Sequence, residues 1–527
     1  PDRPKEGPFL NDELNQISHQ ARLHAATIIP PECWPENRAG DTSMPEGQPF
    51  ALFLLSALAK MAGDPDWGYP LLVVDGVPLG VDEDVLDDPG VWPTKEELGE
   101  DPMDMEPAQP CAADNYSSAA TFSEEVEATF LEEVPMGMLE GPLTEWEASR
   151  RCGCEPQDMA IGALAAIDEG TKVRTIFDAS VTNVNDRIRA RMRKKTTAPG
   201  LHDLMWARRR LRRKVPHSTR LTLFKTDASR AHGRIKVKKK DWKYMVAKTT
   251  SFGRDPPLVK YWINKVGTYG VASAQWYWGR MAALINRLTY HLDDAFLFVF
   301  VFVDDYILIL VESTGDHWST VFLLFLIVVG CPVSWHKNEL TPENLWVGYE
   351  VDINTGKAGL PPEKAEAIRS VLKQFADKDN IRVPTVASHV GKLTWTSKAY
   401  PPIMPFLQPM YAWNEKIKHL NPQQSVVPGE LVQFVNSMIT KVLDMPRRPI
   451  FAESVALPLF GATDASAKHS ETASTAGVGG WYSRQPDPQQ QQVHWFYVKV
   501  TPAEFPWVFE KGNPQLRIAA LELHGTV

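Results

Sequence analysis

The sequence predicts an α+β protein of several domains, organised around an apolar β-hairpin that carries two acids at its turn. Three observations predict it. The chain has 527 residues, 43% of them hydrophobic, enough for about two to four domains with cores of their own. Strand-like alternation and helix-like spacing are interleaved along it. The run AFLFVFVFVDDYILILV, Ala295 to Val311, is almost free of polar residues except Asp304 and Asp305. A membrane span is excluded for that run. Each central carboxylate would cost about 3 kcal/mol at a bilayer centre, and neither flank alone is long enough to cross. It reads as two buried strands, Leu297–Val303 and Tyr306–Val311, joined at Asp304-Asp305.

The remaining elements follow from composition and spacing. Residues 1–115 are acidic and proline-rich, with one apolar helix-like stretch, Phe50 to Met61, and no assignable role. Phe122–Met138 reads as a helix and Lys172–Phe177 as a strand. Leu221–Asp227 alternates, with Leu221, Leu223, Lys225 and Asp227 on one face. Gln275–Leu292 and Val321–Val329 read as helices, and Ile368, Val371, Leu372 and Phe375 follow helical spacing. Leu457–Thr463, Gly477–Tyr482 and Val493–Val500 read as strands of a later sheet, with QPDPQQQQ (485–492) as a low-complexity loop and Leu516–His524 as a closing helix.

Net charge is -9, but the charge is segregated. Residues 82–106 hold eleven acids against Lys95, and residues 187–214 hold twelve bases against Asp203. A polyphosphate partner responds to the local field, whereas the bland reading of such a run is a solvated helix face. The five cysteines show neither a disulfide framework nor zinc-site spacing, which suits a reducing, intracellular setting, cytoplasmic or nuclear. The chain starts at Pro1 and has no signal peptide, so a fragment of a longer, non-secreted product is expected.

Paired acids at a tight turn are unusual, because such turns favour Asn-Gly or Asp-Gly. Adjacent like charges need a neutralising partner, and a divalent cation suits hard carboxylate oxygens. Alone, Asp304-Asp305 could be an exposed acidic turn. Asp227, ending an alternating strand, supplies a further acid from a separate strand. Carboxylates so assembled can hold two ions about 4 Å apart that clamp the attacking and leaving oxygens of a phosphoryl transfer.

With these residues in place, a resemblance becomes specific. FVDD (302–305) resembles the YxDD box of reverse transcriptases, and FKTDASRAHGRIKV (224–237) resembles their box with the other catalytic aspartate. TYGVASAQWYWGRM (268–281) looks like the box lining the nucleotide and template pocket. KVRTIFDASVTNVN (172–185) is similar to the fingers segment that grips triphosphate, SWHKNEL (334–340) to the box with a lysine near the pyrophosphate, and WVGYEVD (346–352) to the primer-grip hairpin. GKLTWTSKAYPPIMPFLQPMYAW (391–413) looks like the connecting segment of retroelement polymerases, particularly tyrosine-recombinase (DIRS-like) elements. FGATDAS (460–466), GVGGWY (477–482) and AALELHG (519–525) resemble the opening of RNase H.

The resemblance implies a right-hand polymerase fold: fingers over 116–220, palm over 221–352 and thumb or connection over 353–450. A C-terminally incomplete RNase H-like α/β domain would follow over 455–527. It implies a retrotransposon RNA-directed DNA polymerase using two magnesium ions, with RNA template, DNA primer or RNA–DNA hybrid and deoxynucleoside triphosphates as partners. In that reading Asp227, Asp304 and Asp305 hold the metals and Lys337 protonates pyrophosphate. Lys172, Arg174, His232, Tyr269 and Gly270 meet the nucleotide, and Trp346, Gly348 and Tyr349 position the primer. Asp464 and Glu522 are ligands of the RNase H remnant, which would lack its other carboxylates and not cleave RNA. The basic run reads as a contact to template–primer phosphates.

The sequence departs from the family at Phe302 (usually Tyr), Gln275 (commonly Pro) and Ser180 (often Arg). At His232 the family commonly carries Tyr or Phe against the ribose 2′-hydroxyl, so sugar selection is open. The competing reading is a catalytically inactive or domesticated nucleic-acid-binding scaffold on the same fold, which loss of a catalytic acid would favour. The palm acids are all present.

Overall fold

The computed structural model describes residues 11–99, 108–170, 172–251, 257–293, 298–376, 380–445, 447, 450, 460–470, 474–483, 493–509 and 512–526. The chain is a mixed α+β protein with several small sheets, divided into two compact units, Pro1–Phe451 and Ala452–Val527. Among the described residues, no helix is long and apolar enough to cross a membrane.

The first unit is built on a four-stranded antiparallel sheet in the order Val299–Phe302, Asp305–Val311, Leu221–Asp227, Glu339–Thr341. Both faces are covered. Leu221, Leu223, Ile307 and Ile309 pack on one side against the helix Leu201–Arg212 and the strands around Trp346 and Tyr349. Phe224, Tyr306, Leu308 and Leu310 pack on the other against the helices Ala272–Thr289 and Gly315–Val328. Burial of both faces explains why the hairpin reads as an unbroken apolar run rather than an alternating one.

A five-stranded sheet stands upstream in the order Leu139–Leu143, Leu258–Asn264, Val246–Ser251, Ile161–Asp168, Val173–Asp178. Downstream of the four-stranded sheet come a three-stranded meander (343–359) and the helices Pro362–Ala376, Val383–Ser397, Met404–Ile417 and Glu430–Asp444. The second unit is an antiparallel meander of Phe460–His469, Ser474–Ser483 and His494–Val500. The helix Ile518–Thr526 contributes Leu521 to its core.

Several expectations shift. The helix expected over 321–329 begins six residues earlier, at Gly315. The hairpin turn is Val303-Asp304, so Asp305 opens the second strand instead of sharing the tip. The loop 485–492, residues 295–297 of the apolar run and residues 457–459 of the expected strand lie outside the described residues.

Residues 50–77, read as part of an unassigned acidic region, belong to the central core. Phe50, Leu52, Leu55, Tyr69, Val73 and Val77 pack with the Ala272–Thr289 helix. An ion pair fastens them: Arg280, 1% exposed, meets Asp66, 3% exposed, at 2.7 Å, with its guanidinium 4.1 Å over the Tyr69 ring. Arg287 pairs with Asp64 at 2.6 Å two turns further along the same helix.

The acidic run pairs with one end of the basic run and with a second group of lysines at 238–243. Asp84 faces Arg191 and Arg193, Asp87 and Asp88 hold Lys194, Asp82 pairs with Lys243, and Glu83 bridges Lys238 and Lys240. Arg208 is buried and donates to the carbonyls of Ile353 and Asn354. Arg191, Arg193, Lys194 and Arg208 are thus engaged within the chain, whereas the side chains of Arg189, Lys195, Arg209, Arg210, Arg213 and Lys214 are exposed.

Removing one partner of a buried pair leaves an uncompensated charge, at a cost of about 3–5 kcal/mol. Asp66→Ala is accordingly expected to lower the unfolding free energy of the first unit by that amount, read as a lower urea midpoint, while the unfolding of the second is unchanged. Tryptophan fluorescence during urea titration checks it.

Candidate active site

The site is set by strand register. Asp227 is the direct cross-strand partner of Asp305. Residues opposite each other across a strand pair share a face and stand about 5 Å apart at Cβ, so the two carboxyls project from one side of the sheet. Asp304 follows in the adjoining turn, where its carbonyl accepts from the Ala228 N–H at 2.9 Å. The structure brings the three predicted acids together.

The turn is held under strain. Val303 has φ 58°, a left-handed conformation that a β-branched residue rarely adopts. Two-residue hairpins require a positive φ at that position to match strand twist. The Trp278 indole N–H donates to the Val303 carbonyl at 2.7 Å, so the long helix behind the sheet fixes the tip.

The segment after the Gly315–Val328 helix is pinned along the end of Asp227's strand. The Ser229 N–H donates to the Pro332 carbonyl at 2.9 Å and the Ser334 N–H to the Asp227 carbonyl at 2.8 Å. Ser334 Oγ then donates to Asp227 Oδ1 at 2.6 Å, and Lys337 Nζ meets Asp227 Oδ2 at 2.8 Å. Lys337, read from sequence as a residue near the pyrophosphate, is here paired with Asp227. Ser334 was not singled out from sequence, although it lies in the same box three residues before Lys337.

The electrostatics are those of under-neutralised acids. Burial, then the neighbouring Asp227 and Asp305, push the Asp304 carboxyl up to about 6. Burial and Asp227 raise Asp305, with Lys225 and Lys337 pulling it back. Burial, then Asp304 and Asp227, push the Tyr269 hydroxyl up to about 12, so it stays protonated near neutrality.

The edge strand Val173–Asp178 of the five-stranded sheet meets the loop before the long helix. Gly270 has φ 96°, and a Cβ there would lie 1.8 Å from the Phe177 carbonyl, so only glycine fits. Asn185 secures the junction, donating to the Gly270 carbonyl at 2.7 Å and accepting from the Ala272 N–H at 2.8 Å. Asn185 ends the quoted fingers-like segment, but its role is visible only in three dimensions. Lys172 and Arg174 are exposed and both face Glu169, at 3.7 and 2.9 Å.

Other predicted residues land differently. His232 is 7% exposed with an unpartnered Nδ1, and burial lowers its imidazole below the usual value. Trp346 and Tyr349 are each 1% exposed. Tyr349 stacks on Trp395 at 4.5 Å and donates to its carbonyl at 2.7 Å. Those two side chains, read from sequence as positioning the primer, are core packing. They shape a hairpin whose turn is Val347-Gly348, with φ 47° and 82°. In the second unit Asp464 is an exposed strand residue. Glu522 lies half-buried on the helix Ile518–Thr526.

Among the described residues, no three His, Cys, Asp or Glu side chains form a ready-made metal cage, and Asp227 has both oxygens engaged by Ser334 and Lys337. The donor chemistry nonetheless fits a hard cation: crowded carboxylates, one buried enough to hold its proton to about 6, are stabilised by added positive charge.

A carboxyl whose folded value exceeds its unfolded one near 3.8 binds more protons in the folded chain. Its contribution to stability is then present below about pH 4 and lost as pH rises through about 6. Asp304→Asn removes that loss. Without metal, the variant is expected to melt higher than wild type at about pH 8 and to lose the advantage at about pH 4. Thermal melting in chelator at both values checks the sign.

No protein family profile matches the sequence, and no curated protein matches it. Among solved structures, the chain is similar to the foamy viral protease-reverse transcriptase dRH in complex with double-stranded DNA. The two are 12% identical with a TM-score of 0.45, over 96% of this chain and 71% of that one.

Proposed function

We propose that this chain is a template-directed nucleotidyltransferase, an RNA-directed DNA polymerase of a retrotransposon, working at the Asp227–Asp304–Asp305 cluster. The observation that carries the reading is the register that sets Asp227 opposite Asp305 with Asp304 in the adjoining turn. Acids from separate strands converging on one sheet face are what a two-metal phosphoryl transfer requires.

Asp227, Asp304 and Asp305 would hold two magnesium ions, which supply charge neutralisation for the transferring phosphate and activation of the primer 3′-hydroxyl. The chain's own residues do the rest. Lys337, 2.8 Å from Asp227, is placed to turn to the pyrophosphate and give it a proton. Arg174 and Lys172, exposed and held only by Glu169, can exchange that carboxylate for triphosphate oxygens. Gly270 lets its loop close on the Phe177 carbonyl, and Asn185 keeps that loop in place. The Val347-Gly348 turn would support the primer end.

Primer extension on an RNA template with magnesium and deoxynucleotides tests the proposal. Wild type is expected to extend and Asp304→Asn to lose extension. Lys337→Ala should slow it by about 100-fold, the scale of general acid catalysis. Extension that survives Asp304→Asn overturns the reading.

A further inference from the structure

We propose that the second unit carries a self-pairing edge, at which the strand His494–Val500 joins the same strand of a second copy of this chain, antiparallel and centred on Tyr497. The proposal is independent of the polymerase reading. His494–Val500 is the outer strand of its three-stranded sheet. It pairs with Ser474–Ser483 in unbroken register, and among the described residues no strand pairs with its other side. Such an edge offers its N–H and C=O groups to another chain unless a proline, a bulge or an inward charge blunts it. HWFYVKV has none of these, and its one lysine, Lys499, is exposed. The helix Ile518–Thr526 lies mainly over the other two strands. Large side chains of the edge strand therefore stay open on both faces, with Trp495 78% and Tyr497 64% exposed on one and Val498 42% exposed on the other. The Tyr497 ring lies back over Gly477 and Gly479, where Cβ atoms would come within 2.8 and 3.5 Å of it, so it leaves the edge clear.

The order of residues in the strand selects a second copy as the partner. Residues opposite each other in an antiparallel pair share a face. With Tyr497 on the two-fold axis the whole strand is matched: Tyr497 meets Tyr497, and Phe496 meets Val498, Trp495 meets Lys499 and His494 meets Val500, each twice. Lys499 then stands beside an indole instead of a second lysine, an exposed cation–π contact. Trp481, directly opposite Trp495 within each sheet, extends the same aromatic row. Moving the axis to Phe496 or Val498 leaves the strand ends unmatched and separates Lys499 from Trp495. An isologous pairing of this kind closes after two copies. It is smaller than a standard interface of about 1,600 Å², so the dimer is weak and concentration-dependent.

Sedimentation velocity of the full chain over about 1–100 μM tests the proposal. Wild type is expected to pass from monomer toward dimer across that range. Trp495→Lys sets lysine opposite lysine twice per dimer and should raise the dissociation constant on the order of 10-fold or more. Adding Lys499→Glu to that variant sets opposite charges there and should restore association. Thermal melting establishes that each variant folds. A wild-type chain that stays monomeric to about 100 μM overturns the proposal, and so does a dimer that Trp495→Lys leaves intact. A double variant that does not regain association overturns the register centred on Tyr497, and the proposal with it. A monomeric wild type that loses single-stranded nucleic-acid binding on Trp495→Lys also overturns it and assigns the exposed rings to base stacking.

Discussion

The constraint on which the structure turns is the crowding of three carboxylates at one end of a sheet buried on both faces. Asp227 and Asp305 face each other across a strand pair and Asp304 sits beside them in the turn. Like charges at such range repel, and partial burial weakens the solvent that would screen them. The outcome is a site whose most perturbed member holds its proton to about 6 and is ionised above that. Among the described residues, the lysine bonded directly to a member of the cluster is Lys337, at Asp227. Near neutrality the cluster carries more negative than positive charge, and positive charge is what it lacks.

Such an arrangement persists only where the surroundings determine it. The four-stranded sheet cannot slip register by one residue without driving Ile307 and Ile309 out of one core and Leu308 and Leu310 out of the other. The N-terminal region is part of that constraint. Through Asp64 and Asp66 it grips the helix whose Trp278 clamps the hairpin tip. A segment that composition marks as acidic and loop-rich is thus one step removed from the carboxylates. The same charge pairing narrows any basic surface, since Arg191, Arg193, Lys194 and Arg208 are engaged within the chain. An estimate of phosphate contacts from the count of bases in 187–214 would be too high.

What could be read from the sequence follows how local each feature is. Leu221–Asp227 was legible to the residue, because alternation and the terminal acid are local signals. The convergence of Asp227 with Asp304 and Asp305 was legible because each ends or joins an apolar strand. Burial was not legible. Trp346, Tyr349 and His232 belong to quoted motifs, yet each packs against a residue distant in sequence: Phe300 beside Trp346, Trp395 over Tyr349, and Tyr269 beside His232. The role of Asn185 was hidden for the same reason, since its partners lie at 270 and 272. The pairing of the acidic with the basic run needed three dimensions, because either run alone reads as solvated surface.

The two tight turns of the first unit, Val303-Asp304 and Val347-Gly348, show how strain and function are linked. Both place a valine at positive φ, where it costs about 1–3 kcal/mol and where asparagine or glycine would be easier. At Val303 the strain is opposed by the Trp278 hydrogen bond and at the second turn by packing of Trp346 and Tyr349. A glycine at either valine would relieve the strain and also free the backbone to sample other turns. Valine admits few alternatives, so each hairpin tip is confined to one conformation. For a site that must keep several carboxyls within a few ångströms of one another, confinement outweighs a local cost of that size, because a tip free to reorient would let Asp304 turn toward water and relax the crowding that makes it receptive to a cation.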